Sequence, residues 1–337
     1  MTSSNNGTTK TQSPSRYMLG GLIRHPLSIT LASILTVVSI LLVTLPTVIV
    51  GLAVDELKLA GLSAQFTLYV WLIVGLGLIY MGMYFVVGYI WAVVTLSWER
   101  DARQDFFEDL QDFSMTFHDE VDSKRLLSVA MQDISWVRFS LNPALRNILG
   151  GFASIVITGI FLAIIDQTPG LIVFFIIPII NIPVGVFTSI ILFGIPFYLF
   201  FAYKYAEAVE PVRRQRSEVM ESLTSRTQGV FQGIEVVRAF GSEAQEQAKF
   251  REVSKEYEQK VAREGQLAAF YLPALILTAM TTIAFFYGSY SVWTQVFSAG
   301  TLIQILGLLV ALEMLNFQLP HMLLMMRGGF VNAQRIV

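Results

Sequence analysis

The 337 residues are 54% hydrophobic and only 14% charged, with a mean hydropathy of +0.60 and a net charge of −2 at pH 7. Soluble domains carry about 25% charged residues, so this balance indicates a lipid-embedded chain and offers no attraction to nucleic acid. The absence of cysteine excludes disulfides, thiolate metal sites and cysteine nucleophiles.

In chain order, residues 1–15 are rich in Ser, Thr and Asn and read as a disordered tail. "SRYMLGGLIRHP" follows, either a short interfacial helix ending before Pro26 or a simple juxtamembrane linker. No cleavable signal peptide is apparent, because the first apolar run is too long and lacks a small-residue cleavage site. Residues 1–25 are thus set apart from a membrane domain over 26–337. Stretches 26–54, 59–98, 147–165, 167–203 and 265–312 contain no Asp, Glu, Lys or Arg. A hydrocarbon core ~30 Å thick needs about 20 apolar residues. As one helix the last stretch would measure ~72 Å, so "TQVFSAGT" (Thr294–Thr301) must divide it. Six spans are predicted, near 27–52, 66–95, 147–165, 171–200, 267–291 and 301–326. The fourth, with Pro169, Pro178, Pro183 and Pro196 in its stretch, reads as one long, kinked, tilted span; an interrupted helix lining a cavity is the alternative.

All 23 Lys and Arg except Lys58 fall on one side of this topology. That side is expected to be cytoplasmic, giving a multi-pass plasma-membrane protein with both termini inside. Two polar insertions, 99–146 and 204–264, share that side. No proline occurs from Thr47 to Asn142 or from Val212 to Leu272, and no glycine from Tyr89 to Leu149. The spans should therefore continue beyond the bilayer as helices. Phe106, Leu110, Phe113, Phe117 and Val121 mark one helical face, and Leu127, Ala130, Ile134, Val137 and Leu141 mark a returning one. Phe250, Val253, Tyr257 and Val261 repeat the pattern in the second insertion, where Glu252–Lys255 and Glu256–Lys260 have ion-pair spacing. A helix over Phe66–Asp112 would be ~70 Å long and project on the order of 40 Å past the bilayer. Each insertion becomes a helical hairpin with a distant tip. Phe117 at one tip, and Val237 and Phe240 at the other, either meet a docked partner or close the turn of their own hairpin.

These residues carry a resemblance. "RQDFFEDLQDFSMTFHDEVDSKRLLSVAMQDISWVRFSL" resembles the first intracellular loop of ABC exporters, and "EPVRRQRSEVMESLTSRTQGVFQGIEVVRAFGSEAQEQAKFREVSKEY" resembles their second, with the run Gly233–Phe240 intact. "FSAGTLIQILGLLVALEMLNFQLP" is similar to the start of their sixth helix, and "NAQRIV" to the end of their transmembrane domain. The resemblance runs from about Pro26 to Val337. It implies an all-α membrane fold with six transmembrane helices extended into two cytoplasmic helical hairpins. The hairpin tips would couple to nucleotide-binding domains through Ser114, Met115, Phe117, His118 and Asp119, and through Val237, Arg238, Ala239, Phe240, Gly241, Ser242 and Glu243. Tip helices are expected near Ser114–Asp119 and Val237–Glu243. The implied partners are an ABC nucleotide-binding domain, which would supply ATP and Mg, and a second transmembrane half, identical or different. The chain departs from the family in having no G-x-x-x-x-G-K-[ST] phosphate loop. Asp122–Ser123–Lys124 stands where a glycine is usual, and the fourth span is unusually long.

Glu313 is the one acid or base deep in the sixth span. An isolated charge at mid-bilayer costs ~3 kcal/mol, so such residues face an interior, and the resemblance puts a substrate path there. Asn181, Asn316 and Gln318 are further pathway candidates, with interhelical hydrogen bonding as the alternative. His118 beside Asp119 and Glu120 gives no metal site, since His25 and His321 lie near the membrane. No catalytic constellation and no cofactor held by this chain are expected. The leading expectation is the permease subunit of an ABC exporter. The alternatives are a truncated half that inserts without transporting, or an ATP-independent membrane receptor or scaffold.

Overall fold

The computed structural model describes residues 13–121, 123–166, 185–269 and 271–337, without the side chains of 118–120, 123, 316 and 317. Every regular element among them is helical. Six stretches are long and apolar enough to cross a bilayer: Pro26–Ala60, Ala64–Asp112, Lys124–Ile165, Val186–Gln232, Glu243–Trp293 and Ala299–Ile336. The chain is a multi-pass membrane protein of all-α class. It forms two compact units, one of residues up to Ile191 with Thr281–Val337, the other Leu192–Met280.

In the first unit, α1 (Pro14–Ile23) and α2 (Pro26–Ala60) each start on a proline, whose missing N–H is no loss in a first turn. The segment before Pro26 is thus helical, and it is packed rather than free. Met18 and Leu22 are buried against Val94, Trp98 and Ala102 of α3 (Ala64–Asp112), against Ile134, Val137 and Leu141 of the returning rod, and against Ala333. Tyr17 sets its ring edge-on to Trp98 at 5.9 Å. Burial pushes the Tyr17 phenol up to about 12, so it stays neutral in that contact. Arg24 pairs with Asp105 at 2.8 Å, fixing the helix to α3 from the polar side.

The helix that holds the first predicted span, near 27–52, runs on to Ala60 and ends at Gly61 with φ 66. Ser63 then accepts the Phe66 N–H at 3.1 Å and starts α3. With no glycine or proline in its second half, α3 continues unbroken for 49 residues, ~74 Å of helix. Trp91, at 1% exposure, donates its indole N–H to Thr36 Oγ1 at 2.9 Å, joining α3 to α2.

After α4 (Met115–Glu120) the chain returns through α5 (Ser123–Ser128), a wide π turn, α6 (Ile134–Phe139) and a second π turn into α7 (Arg146–Ile165). This rod is interrupted at Asn142, with φ −141 and ψ 114. Pro143 causes it, because a proline ring crowds the preceding residue out of the α region. The expected apolar face closes only in part: Ile134, Val137 and Leu141 are buried, whereas Leu127 is 63% exposed.

The unit is completed by α11 (Leu272–Trp293) from Thr281 onward, by α12 (Ala299–Glu313) and by α13 (Leu315–Ile336). The expected break in the fifth uncharged stretch lies between α11 and α12. Ser298 accepts the Thr301 N–H at 3.0 Å, and the Asp55 carboxylate accepts the Gly300 N–H at 2.8 Å and the Ser298 hydroxyl. A carboxylate is well placed at a helix N-terminus, where the unpaired amides concentrate positive charge. Glycine makes the approach feasible. A Cβ at Gly300 would lie 2.1 Å from the Gly51 carbonyl, and one at Gly51 would lie 2.2 Å from Gln304. Gln304 Nε2 donates to the Val48 carbonyl at 2.8 Å.

The second unit is built on α8 (Val186–Gln232), α9 (Ile234–Ala239) and α10 (Glu243–Ala269), with the first turns of α11. Of the fourth predicted span, residues 171–184 lie outside the described residues, and α8 carries the remainder through Pro196. Tyr198, fully buried, and Tyr205, against the Tyr271 ring at 4.5 Å, form its aromatic base. Lys260 reaches Gln215 at 3.1 Å, and the in-helix ion pair forms earlier, between Lys249 and Glu246 at 2.7 Å.

Gly300→Val should lower stability by about 1–3 kcal/mol, because backbone cannot yield as a side chain does. Thermal unfolding in detergent reads this as an earlier transition, while Gly75→Val, with open space around it, should leave the transition in place.

Candidate functional site

The two hairpin tips are built differently. At the first, α3 stops because Phe113 and Ser114 turn to extended backbone, at φ −72, ψ 148 and φ −65, ψ 155. The Phe117 N–H then takes the Ser114 carbonyl at 3.0 Å and begins α4. This short helix matches the expected tip at Ser114–Asp119 to within a residue. The Phe117 ring stacks on Phe113 at 4.4 Å and is half-buried, so it closes its own turn. Met115 is left 81% exposed. His118 and Asp119 lie on α4, with side chains outside the described residues, as is the turn at Asp122.

At the second tip, Gly233 (φ −103, ψ 21) offsets α9 from α8 while keeping its bond to the Gly229 carbonyl at 3.0 Å. The helix ends in two nested bonds: Ser242 N–H to the Val237 carbonyl at 3.0 Å, and Gly241 N–H to the Arg238 carbonyl at 3.2 Å. That Schellman closure needs a left-handed residue inside it, and Gly241 supplies φ 58. The tip helix therefore covers Ile234–Ala239, not the expected Val237–Glu243. Phe240, Gly241 and Ser242 make the turn, and Glu243 opens α10. Glu243 and Glu246 occupy the first turn of α10, the end where carboxylates are favoured. The Lys249 ammonium beside Glu246 holds its carboxyl below the usual range.

Arg238, Ala239, Gly241 and Glu243 face solvent, and Val237 and Ser242 are half-buried. Phe240 is 80% exposed and receives no cover from its own hairpin. Burying such a ring is worth about 1.5–3 kcal/mol, so the second tip leaves a large stabilisation unclaimed. Beside it, Phe231, Ile234, Val237 and Phe250 line a groove of about 560 Å³, rimmed by Arg226 and Glu246.

Within the membrane region, Glu313 is half-buried at the end of α12, and its Oε1 accepts a hydrogen bond from the Thr281 hydroxyl of α11 at 3.0 Å. The isolated acid of the sequence thus has a polar partner. Gln318, on α13, is exposed. The Asn316 side chain and all of Asn181 lie outside the described residues. Among the described residues, no three His, Asp or Glu side chains gather as metal ligands. Two acids that the sequence reading did not single out, Glu99 and Glu264, each meet two arginines. The available signal was position: Glu99 directly follows one uncharged stretch and Glu264 directly precedes another.

Comparison with known proteins places this architecture. Residues 27–191 and 182–314 match the family described as ABC transporter transmembrane region. An ATP-dependent lipid A-core flippase of Pseudomonas syringae pv. syringae (strain B728a) is 26% identical over 208 residues, 61% of this chain and 30% of the flippase. Flippases of the same name from Pseudomonas savastanoi pv. phaseolicola and Pseudomonas syringae pv. tomato are 25% and 26% identical over the same extents. The match thus spans less than a third of each relative's length.

Gly241→Val should loosen the second tip by ~1–2 kcal/mol, the cost of a left-handed backbone for a residue with a Cβ. Hydrogen exchange should speed up for the amides of residues 237–246, and unchanged exchange would refute the closure described. Gly229→Ala, in regular helix with no neighbour in reach of a Cβ, should leave those rates alone.

Proposed function

Since this chain belongs to the ABC transporter transmembrane region family, we propose that it is the permease half of an ATP-driven exporter. It works with a second transmembrane half and with ATP-hydrolysing domains that bind ATP and Mg. The observation that carries the reading is Phe240, an aromatic ring 80% exposed at the closed tip of a long polar hairpin. Met115, 81% exposed at the other tip, supports it. The bias of Lys and Arg to one side supports a cytoplasmic location for both tips.

The ATP-hydrolysing domains grip residues 114–119 and 237–243. When ATP draws those domains together, the tips move with them. Because α3 and α8 are continuous helices of 49 and 47 residues, displacement at a tip is carried along each helix into the membrane. The substrate path is the one for which Glu313, Asn316, Gln318 and Asn181 are the candidates from sequence. The relatives are named as lipid A-core flippases, which favours an amphiphile that enters from the bilayer. On this reading Glu313 engages the polar part of the substrate through the carboxylate oxygen that Thr281 does not occupy.

Affinity purification from native membranes should recover vanadate-sensitive ATPase activity with the chain, and failure to recover any would overturn the reading. Phe240→Asp should weaken that capture by about thirtyfold, the effect of losing an aromatic hot spot of ~2 kcal/mol. In the purified complex, Glu313→Gln should raise the concentration at which cationic amphiphiles stimulate ATP hydrolysis. An unchanged half-stimulating concentration for every amphiphile would remove Glu313 from the pathway.

A further inference from the structure

Each hairpin contains one acid held by two arginines where its polar part meets an uncharged stretch. In the first unit, Glu99 of α3 has a side chain only 10% exposed. Its Oε1 accepts from Arg103 Nη2 at 2.7 Å and from the Ser135 hydroxyl at 2.7 Å. Its Oε2 meets Arg138 Nε at 2.7 Å. Arg103 lies on α3, while Ser135 and Arg138 lie on α6, so the carboxylate ties the outgoing rod to the returning one. In the second unit, Glu264 of α10, with a side chain 15% exposed, accepts from Arg213 Nε at 2.6 Å and pairs with Arg216 Nη1 at 2.8 Å. Both arginines lie on α8. The arrangement is the same with the direction reversed: the acid is on the outgoing rod in one hairpin and on the returning rod in the other.

Most charged contacts here are not of this kind. Arg214–Glu218 joins residues of one helix, at 82% and 60% side-chain exposure, and such pairs contribute little. Glu99 and Glu264 bridge two rods and are largely withdrawn from water, which raises the effect of removing the central charge. Without it, the two arginines at each site would lose the one carboxylate that they share. The rods would part at their base, and a push at the tip would open the hairpin instead of moving its helices.

We propose that Glu99 and Glu264 are positioning residues, each locking the base of its hairpin so that movement of the tip reaches the membrane. The proposal rests on the exporter reading, and its test separates the two. The chain lacks native cysteine, so spin labels at Leu62→Cys and Val296→Cys, exposed positions at the ends of α2 and after α11, can report on the membrane part. The full chain is purified from native membranes with its accompanying ATPase, and the label-to-label distance is measured with and without ATP plus vanadate.

The expected result is a distance shift in the otherwise unaltered chain that is lost in Glu99→Gln and Glu264→Gln. ATPase should still co-purify with both variants and still hydrolyse ATP. Glu99→Asp and Glu264→Asp should keep the shift. That order distinguishes charge from packing, because Gln preserves the volume of Glu and Asp does not. Arg214→Gln should behave as the unaltered chain. A full shift in the Gln variants, or its loss in the Asp variants, overturns the proposal. Should the Gln variants fail to accumulate, Arg138→Gln and Arg213→Gln decide by the same criterion. If the unaltered chain brings no ATPase, the exporter reading falls instead. The braces are then read by hydrogen exchange over residues 113–121 and 234–242, which must accelerate in the Gln but not the Asp variants for the proposal to stand.

Discussion

Hydrocarbon supplies no hydrogen-bond partner, so a chain that crosses it must satisfy every backbone N–H and C=O within itself. Helix is the form available to a single segment, and this protein extends it well past the need. α3 is 49 residues long and α8 is 47, where about 20 suffice to cross. The excess costs little, since the i to i−4 ladder continues at no new nucleation penalty. It yields helical extensions well beyond the length that a bilayer requires. The tips, their exposed aromatic and thioether groups and the acids at their bases have meaning only because those helices do not break.

Where the chain does break, a specific residue is responsible. Gly61 and Gly241 adopt positive φ, Gly233 offsets a helix without severing it, and Asn142 is expelled from the helical region by the proline that follows. Ser63 and Ser298 restart helices with their hydroxyls. The spans are therefore bounded by local chemistry as much as by hydrophobicity. The returning rod of the first hairpin is the least regular, with two π turns on either side of α6, yet it buries Ile134, Val137 and Leu141 to 1% exposure or less.

Much of this was legible from one sequence. The length of α3 followed from missing prolines and glycines, and the short helix at the first tip from the resemblance of its segment. The break before α12 followed from the length of an uncharged run. The second tip helix starts three residues and ends four residues before the expected bounds, because Gly233 opens it and the left-handed Gly241 follows its end, and a glycine in sequence does not announce its φ. The helix of the first span continues past the uncharged stretch, through Asp55. In the fold Asp55 is a helical residue whose carboxylate serves another helix, 245 positions away. The partners of Glu99 and Glu264 were illegible for the same reason, since side chains 36 and 51 residues apart leave no periodic trace. Glu313 stands out in the sequence because charge is rare in its surroundings, but its bond to Thr281 does not.

The contact between α2 and α12 also bears on how the protein is made. Gly51 and Asp55 leave the ribosome about 245 residues ahead of Gly300 and Gln304. At about 5–20 residues per second, Gly51 waits on the order of 10–50 s for the residues that pack on it. Closing this contact is therefore a late step in the making of the unit, set by the order of the chain rather than by nearness in the fold.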